Sequence, residues 1–310
     1  MPIPARSRRA LFCLPFIALP LMAQAQTQTQ PAPGYEPRRG QPGKDVIWIA
    51  TPDAAVDRML QMAELRPADR LVDLGSGDGK IPIAAGRAQG ARATGLEFNP
   101  ELVELSNRRA AQAGLAGRVD FRKADIFTTD FSDATVVTMY LLPELNLRLR
   151  PILFRMAPGT RVVSHSFNMG DWMPDETATV GTASLYLWRI PANASGTWRV
   201  SAPGLADAPR QFRFSQRFQA VEGAATFDGL QADAVRPLLS GDTLSFGVRD
   251  AGGALLQVQA RVDGGRMRGT LAHSDGPGQA FEAVRVGEAT PIGGVDAGAQ
   301  EIGRALKVLD

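Results

Sequence analysis

An apolar run that stops at an acid and three alternating glycines, Leu71-Val72-Asp73-Leu74-Gly75-Ser76-Gly77-Asp78-Gly79-Lys80, constrains this chain more than any other stretch. It reads as a strand breaking into a loop that holds a nucleotide-like cofactor. Gly75, Gly77 and Gly79 have no Cβ, so the backbone can turn sharply and approach a ligand closely. The free N–H groups of the helix that follows are then left to bind it. A dinucleotide fingerprint, G-x-G-x-x-G, would place a third glycine at position 80, where this chain has Lys80. No G-x-x-x-x-G-K-[ST] loop is present here either. Asp73 and Asp78 suit a cationic ligand, such as a sulfonium or an α-ammonium group, and would repel a pyrophosphate.

Further strand-end acids follow in order. Ala93-Thr94-Gly95-Leu96-Glu97 reads as a second strand ending in Glu97, after a helical stretch around residues 81–87. Arg118 to Ile126 contains a short alternating strand ending in Asp125. A carboxylate is a bidentate acceptor suited to a ribose diol, although acids at strand ends also serve as helix N-caps. Ala134 to Glu144 is β-branched and apolar and then stops at Pro143, as a buried parallel strand reaching its ligand edge should. Ala157 to Phe167 is a turn into a fifth strand.

The motif Val72-Asp73-Leu74-Gly75-Ser76-Gly77-Asp78-Gly79 resembles the first motif of the class I S-adenosylmethionine (SAM) dependent methyltransferases. That resemblance implies SAM as cofactor, bound by Asp73, Gly75, Ser76, Gly77, Asp78 and Gly79, with Glu97 on the ribose hydroxyls and Asp125 against the adenine amino group. With Thr51-Pro52 upstream and Met169-Gly170-Asp171-Trp172 downstream, residues 45 to 190 look similar to the small seven-strand lysine methyltransferases of mitochondrial membrane proteins and their bacterial relatives. The implied reaction is in-line methyl transfer to a nitrogen nucleophile, a protein lysine. By position after the fourth strand, Tyr140 and Glu144 are the candidates to orient the acceptor amine. Tyr140 suits a core aromatic equally well. His165 is a possible base, or a structural histidine. Asp171 and Trp172 suit either an acceptor channel or an exposed turn. Two other readings stay open: a SAM-binding protein without turnover, and a methyltransferase acting on a small molecule. No metal site is expected.

Alternating strands and helices through residue 190 predict an α/β fold, a doubly wound Rossmann-like sheet with ligands at the carboxyl ends of its strands. Residues 181–190, with Tyr186 and Trp188, would close it with antiparallel strands. After Pro191 the pattern becomes period two between glycine-rich turns, which predicts a small antiparallel sandwich or half-barrel over residues 191–290. Ile302, Leu306 and Leu309 permit a short helix within the 291–310 tail.

The first 25 residues read as a signal peptide: a basic stretch to Arg9, an apolar run from Ala10 to Met22, and Ala23-Gln24-Ala25 as cleavage site. The run is shorter than the roughly 20 residues of a bilayer span, so no transmembrane anchor is expected after cleavage. Cys13, in this leader, is the only cysteine, which leaves the mature chain without thiol chemistry. An exported protein, periplasmic or secreted, is implied, and Ser7-Arg8-Arg9-Ala10-Leu11-Phe12 resembles a twin-arginine signal, a route that carries folded proteins. Residues 26–44, polar with proline and glycine, read as a flexible linker. Residues 46–49 read as an apolar lid or strand, and Thr51-Pro52 opens a helix with Val56, Met59, Leu60 and Ala63 at helical spacing. Removing the leader's Arg6, Arg8 and Arg9 takes the 34 basic residues to 31 against 32 acidic ones. That balance does not favour nucleic acid as a partner.

Overall fold

The computed structural model describes residues 35–293 except 46, 206, 274 and 275. The expected signal peptide and terminal helix therefore lie outside the described residues. The first half builds a seven-stranded sheet from β1 (Arg70–Leu74), β2 (Arg92–Glu97), β3 (Val119–Lys123), β4 (Val136–Met139), β5 (Arg161–His165), β6 (Glu176–Val180) and β7 (Ala183–Arg189). Its order is β3-β2-β1-β4-β5-β7-β6. The first five strands are parallel, and β7 enters antiparallel between β5 and β6. This is the doubly wound sheet that the strand and helix alternation predicts, with residues 181–190 closing it.

Consecutive strand residues face opposite sides. Leu71, Val136 and Val163 bury into one core beneath α1 (Asp53–Met62), α2 (Lys80–Gln89) and α3 (Pro100–Gln112). Val72, Val137 and Val162 bury into another beneath α4 (Pro143–Leu153). Both faces are covered, which is why β1 and β4 are apolar runs with no polar side. Val56, Met59, Leu60 and Ala63 all bury in the first core, as their spacing predicts. Asn99 caps α3 by accepting from the Glu101 N–H at 2.9 Å, with Pro100 at the first helical position.

The second half is one nine-stranded antiparallel sheet: β8 (Gly196–Ser201), β9 (Gln211–Arg217), β10 (Ala220–Phe227), β11 (Leu230–Asp233), β12 (Val235–Ser240), β13 (Thr243–Arg249), β14 (Leu255–Asp263), β15 (Arg266–His273) and β16 (Gln279–Val286). Its order is β11-β10-β9-β8-β16-β15-β14-β13-β12. β11 and β12 sit at opposite ends of that order, yet only Ala234 separates them in sequence. The sheet must therefore curl until its ends meet, which makes a barrel and leaves no sandwich. The Ala234 N–H donating to the Gly223 carbonyl at 2.8 Å marks the seam. Strict alternation along β14 sends Leu256, Val258, Ala260 and Val262 inward. They meet Trp198, Phe212, Phe214, Phe246 and Phe281, with Phe212 edge-on to Phe246 at 5.2 Å. These aromatic side chains fill the interior.

Trp172 locks the barrel to the parallel sheet. It is fully buried, and its ring lies 4.6 Å from Phe154, 5.8 Å from Trp188 and 6.1 Å from Phe218 of the β9–β10 turn. Its indole N–H donates to Gln219 Oε1 at 2.9 Å. Beside it, Asp171 accepts from Arg150 at 2.7 Å and from Arg217 at 2.5 Å. Asp171 lies in an exposed turn and Trp172 is buried, neither lines the cleft, and both join the two sheets.

Candidate active site

The loop after β1 is built by its glycines and closed by β2. Gly75 and Ser76 donate their N–H groups to the Leu96 carbonyl at 2.9 and 3.1 Å. Gly77 donates to Glu97 Oε2 and Asn99 to Glu97 Oε1, both at 2.9 Å, so this carboxylate braces the loop from the strand beside it. The loop glycines have φ of +72°, +53° and +81°, the left-handed region that other residues adopt at a cost. Gly79 has a second reason. A Cβ there would stand 2.6 Å from the Phe121 ring and 2.8 Å from Ser106, so this glycine lets α2 pack on α3 and β3.

One cleft at the carboxyl ends of the parallel strands collects Asp73, Gly75, Ser76, Gly77, Asp78, Glu97, Asp125 and Tyr140. Gly79 and Glu144 do not line it. Gly79 turns into the helix packing just described, and Glu144 is exposed in the first turn of α4, where it complements the positive end of that helix. The helix begins at Pro143 and carries the Glu144 side chain out to solvent, so of the two acceptor-orienting candidates Tyr140 lines the cleft and Glu144 stands outside its lining.

Asp73 is the buried charge of the cleft. It is 3% exposed and accepts from Thr138 Oγ1 at 2.7 Å. Burial, with Glu97 and Asp78 adding repulsion against the Thr138 hydrogen bond, raises its pKa to about 7. A carboxylate poised this way gains most from a cation placed beside it. Asp78 instead pairs with Arg109 at 2.7 Å. Asp125 accepts from the Phe127 N–H at 2.9 Å and from Lys44 Nζ at 2.7 Å, and the Lys44 hydrogen bond holds its carboxyl below the usual range. Ser76 Oγ is buried in the loop with no hydrogen-bond partner among the described residues.

The residues fit SAM. Asp73 would hold a cationic end, Glu97 the ribose hydroxyls with its remaining lone pairs, and Asp125 the adenine amino group, sharing or displacing Lys44. Ser76 Oγ is an orphaned polar atom that a polar ligand would satisfy.

Part of the cleft's wall, from Gln41 to Lys44, was not legible in sequence. Residues 41–45 and 47–51 form much of its wall. Gly40 and Trp48 are tied by Gly40 N–H to Trp48 O and Trp48 N–H to Gln41 O, each 2.9 Å, and Lys44 reaches Asp125. The stretch read as a linker up to Lys44 therefore already belongs to the cleft from Gln41 onward. Its polar, glycine-rich composition carried no apolar signal for that contact. Trp48 lies so close to Gly77 that a Cβ on the glycine would be 2.7 Å from its indole nitrogen. Phe98, 45% exposed, stands at the rim with Lys44 4.9 Å from its ring centre.

Tyr140 stands at the end of β4 with its ring 3.9 Å from that of His165. His165 is 3% exposed, its Nδ1 is 3.3 Å from Thr51 Oγ1, and burial lowers its pKa. A neutral ring packed against a tyrosine has the character of a structural group.

The family model described as the ANTKMT methyltransferase domain matches residues 73–176. A protein-lysine N-methyltransferase of Saccharolobus islandicus is 40% identical over 137 residues, covering 44% of this chain and 85% of that protein. The adenine nucleotide translocase lysine N-methyltransferase of Mus musculus is 33% identical over 152 residues, covering 49% of this chain and 65% of that one. Among solved structures, one described as an RNA methyltransferase from Salinibacter ruber in complex with S-adenosyl-L-homocysteine is 47% identical, at a TM-score of 0.46, covering 52% of this chain and all of that one. With the glycine loop, the strand-end acids and the strand order β3-β2-β1-β4-β5-β7-β6 on one domain, the chain belongs to the class I SAM-dependent methyltransferases, in the family of the protein-lysine methyltransferases.

Proposed function

We propose that this enzyme methylates a lysine side chain of a protein. The observation that carries the reading is the position of Tyr140, at the end of β4 in the same cleft as the cofactor acids, where an incoming amine would meet the methyl donor. SAM, when bound, supplies an electrophilic methyl group on a sulfonium that leaves readily. The chain's own task is alignment, exclusion of water and acceptance of a neutral amine. Lysine has an unperturbed pKa of about 10.4, so the acceptor must lose a proton before it reacts. In this reading Tyr140, which lines the cleft, accepts a hydrogen bond from that amine and orients its lone pair.

Two further features support a protein acceptor. Ile47, Phe98 and Leu142 are 52%, 45% and 37% exposed and all line the mouth of the cleft, an apolar rim suited to an apolar protein surface. The barrel interior is filled by Trp198 and the phenylalanines around it, so it offers no pocket for a small-molecule acceptor. Among the described residues no helix is long and apolar enough to cross a membrane.

We also read residues 1–25 as an export signal of the twin-arginine kind, which would deliver the protein folded and with cofactor aboard. Arg8→Lys with Arg9→Lys should then hold the protein in the cytoplasm, and undiminished export would reject this route.

The acceptor is tested by incubating the enzyme and methyl-labelled SAM with total cell protein and, separately, total RNA. Each is hydrolysed to its monomers. Label in Nε-methyllysine supports the proposal. Label confined to a nucleoside, or to small molecules only, rejects it.

A further inference from the structure

Three side chains from two other segments gather at the tyrosine of the cleft. Thr51, 7% exposed, precedes α1; His165 ends β5; Phe167 follows it; Tyr140 comes directly after β4. The His165 ring lies 3.9 Å from Tyr140 at 46°, and the Phe167 ring stacks at 6.3 Å and 29°. Thr51 Oγ1 fixes His165 through Nδ1 at 3.3 Å.

The backbone holds this frame in place. Ser166 has φ of +66°, a left-handed turn that a non-glycine residue adopts only under strain. That turn lets Phe167 fold back, with its N–H donating to the His165 carbonyl at 2.9 Å. Ser166 itself donates to Ser184 at 2.7 Å. Ser164 Oγ donates to the Phe167 carbonyl at 2.7 Å, and Asn146 Nδ2 of α4 donates to the Phe167 and Asn168 carbonyls at 3.1 and 3.2 Å. Asn146 is fully buried, so α4 clamps the turn from inside the core. A strained turn, tied down by two side chains and two backbone hydrogen bonds and aimed at one tyrosine ring, is more than a hydrophobic core requires.

We propose that His165 is a positioning residue, which, held by Thr51, fixes the Tyr140 ring in the orientation its hydroxyl needs to meet the acceptor amine. The proposal rests on the assignment of Tyr140 to the acceptor side of the cleft. His165 transfers no proton in this role, which agrees with burial favouring its neutral form. A tyrosine ring free to swing would displace its hydroxyl by an ångström or more. Misplacement on that scale costs rate on the order of a hundredfold or less, without loss of cofactor binding.

The test uses the full chain with two readouts. In the first, methyl transfer from labelled SAM to poly-L-lysine is measured for His165→Leu, His165→Phe, Thr51→Val, Tyr140→Phe and the double variant His165→Leu/Tyr140→Phe. His165→Leu should lower kcat about tenfold or more with KM for SAM unchanged. His165→Phe, which keeps the stacked ring, should restore most of the rate, and Thr51→Val should fall between. In the Tyr140→Phe background, His165→Leu should cost little more, because the hydroxyl it positions is already gone. Equal losses in both backgrounds, or His165→Phe as slow as His165→Leu, would overturn the proposal.

The second readout needs no acceptor. The chain has three tyrosines, so ¹³C-tyrosine spectra resolve the Tyr140 ring, assigned by its disappearance in Tyr140→Phe. Its resonance should move and broaden in His165→Leu and Thr51→Val and stay sharp in His165→Phe. An unmoved resonance in all of them overturns the positioning role. A wild-type enzyme that leaves poly-L-lysine unlabelled counts against the lysine reading, while the tyrosine resonance still decides whether His165 positions Tyr140.

Discussion

Asp73→Asn separates what the cofactor needs from what the fold needs. The Asp73 carboxyl is 3% exposed and its pKa is raised to about 7 from 3.8, chiefly by burial. A carboxyl whose folded pKa lies above its unfolded one costs nothing while both states are protonated. The cost grows as pH rises from about 4 and is complete above about 7. A shift of that size corresponds to an upper bound of about 4 kcal/mol. Asparagine has nearly the same shape and can still accept from Thr138, so at pH 8 the variant should be more stable than the wild type in urea titrations of the apo protein, by up to that amount. It should also lack the wild type's loss of stability between pH 4 and 7 that this group causes.

Cofactor binding should run the opposite way. If the cation of SAM requires ionised Asp73, the competent fraction is about nine tenths at pH 8 and about one tenth at pH 6, so the apparent Kd should weaken about tenfold between them. Calorimetric titration of SAM across that range measures it directly. Asp73→Asn should bind roughly 10–150-fold more weakly at pH 8, the worth of a charged hydrogen bond at about 1.5–3 kcal/mol, and with no such pH slope. An asparagine variant that binds SAM as well as wild type, or one less stable than wild type at pH 8, would refute the reasoning.

Gly79→Ala should destabilise the protein by about 1–3 kcal/mol in the same urea titrations, because its Cβ would stand 2.6 Å from Phe121 and its φ is +81°. Trp172→Ala empties the joint between the sheets and should cost about 3–5 kcal/mol, with calorimetric unfolding splitting towards two transitions. Lys44→Met breaks a solvent-screened ion pair, so stability should hardly change. SAM should then bind equally well or up to about fivefold tighter, since Asp125 no longer has Lys44 to displace. Weaker binding by isothermal calorimetry would instead show that Lys44 touches the cofactor.

What could be read in the sequence follows from how local each feature is. The parallel sheet was legible because Leu71 to Leu74 and Val136 to Met139 are apolar runs bounded by turn residues, and runs of that kind form when both faces of a strand are buried. The cleft acids were legible because each lies at or just beyond the carboxyl end of a strand. The barrel's period-two strands were visible, but its closure was not: that depends on β11 and β12 meeting through Ala234, a long-range pairing no local pattern encodes. Gln41 to Lys44 were hidden for the converse reason, since their contacts with the cleft are polar and distant in sequence. Trp172 looked like an exposed turn because its burial is supplied by Phe218, which belongs to the other sheet. The exposure of Glu144 was not legible because position after a strand does not say which way the first turn of the next helix points.

A crystal structure of the full chain with S-adenosylhomocysteine tests the central claim most directly. The account predicts the ribose hydroxyls within hydrogen-bonding distance of the Glu97 carboxylate, the adenine edge at Asp125 with Lys44 moved aside, and the amino-acid end beside Gly75, Ser76 and Gly77 with Tyr140 facing the sulfur. A ligand bound elsewhere, or one whose ribose leaves Glu97 occupied only by Gly77 and Asn99, would contradict it.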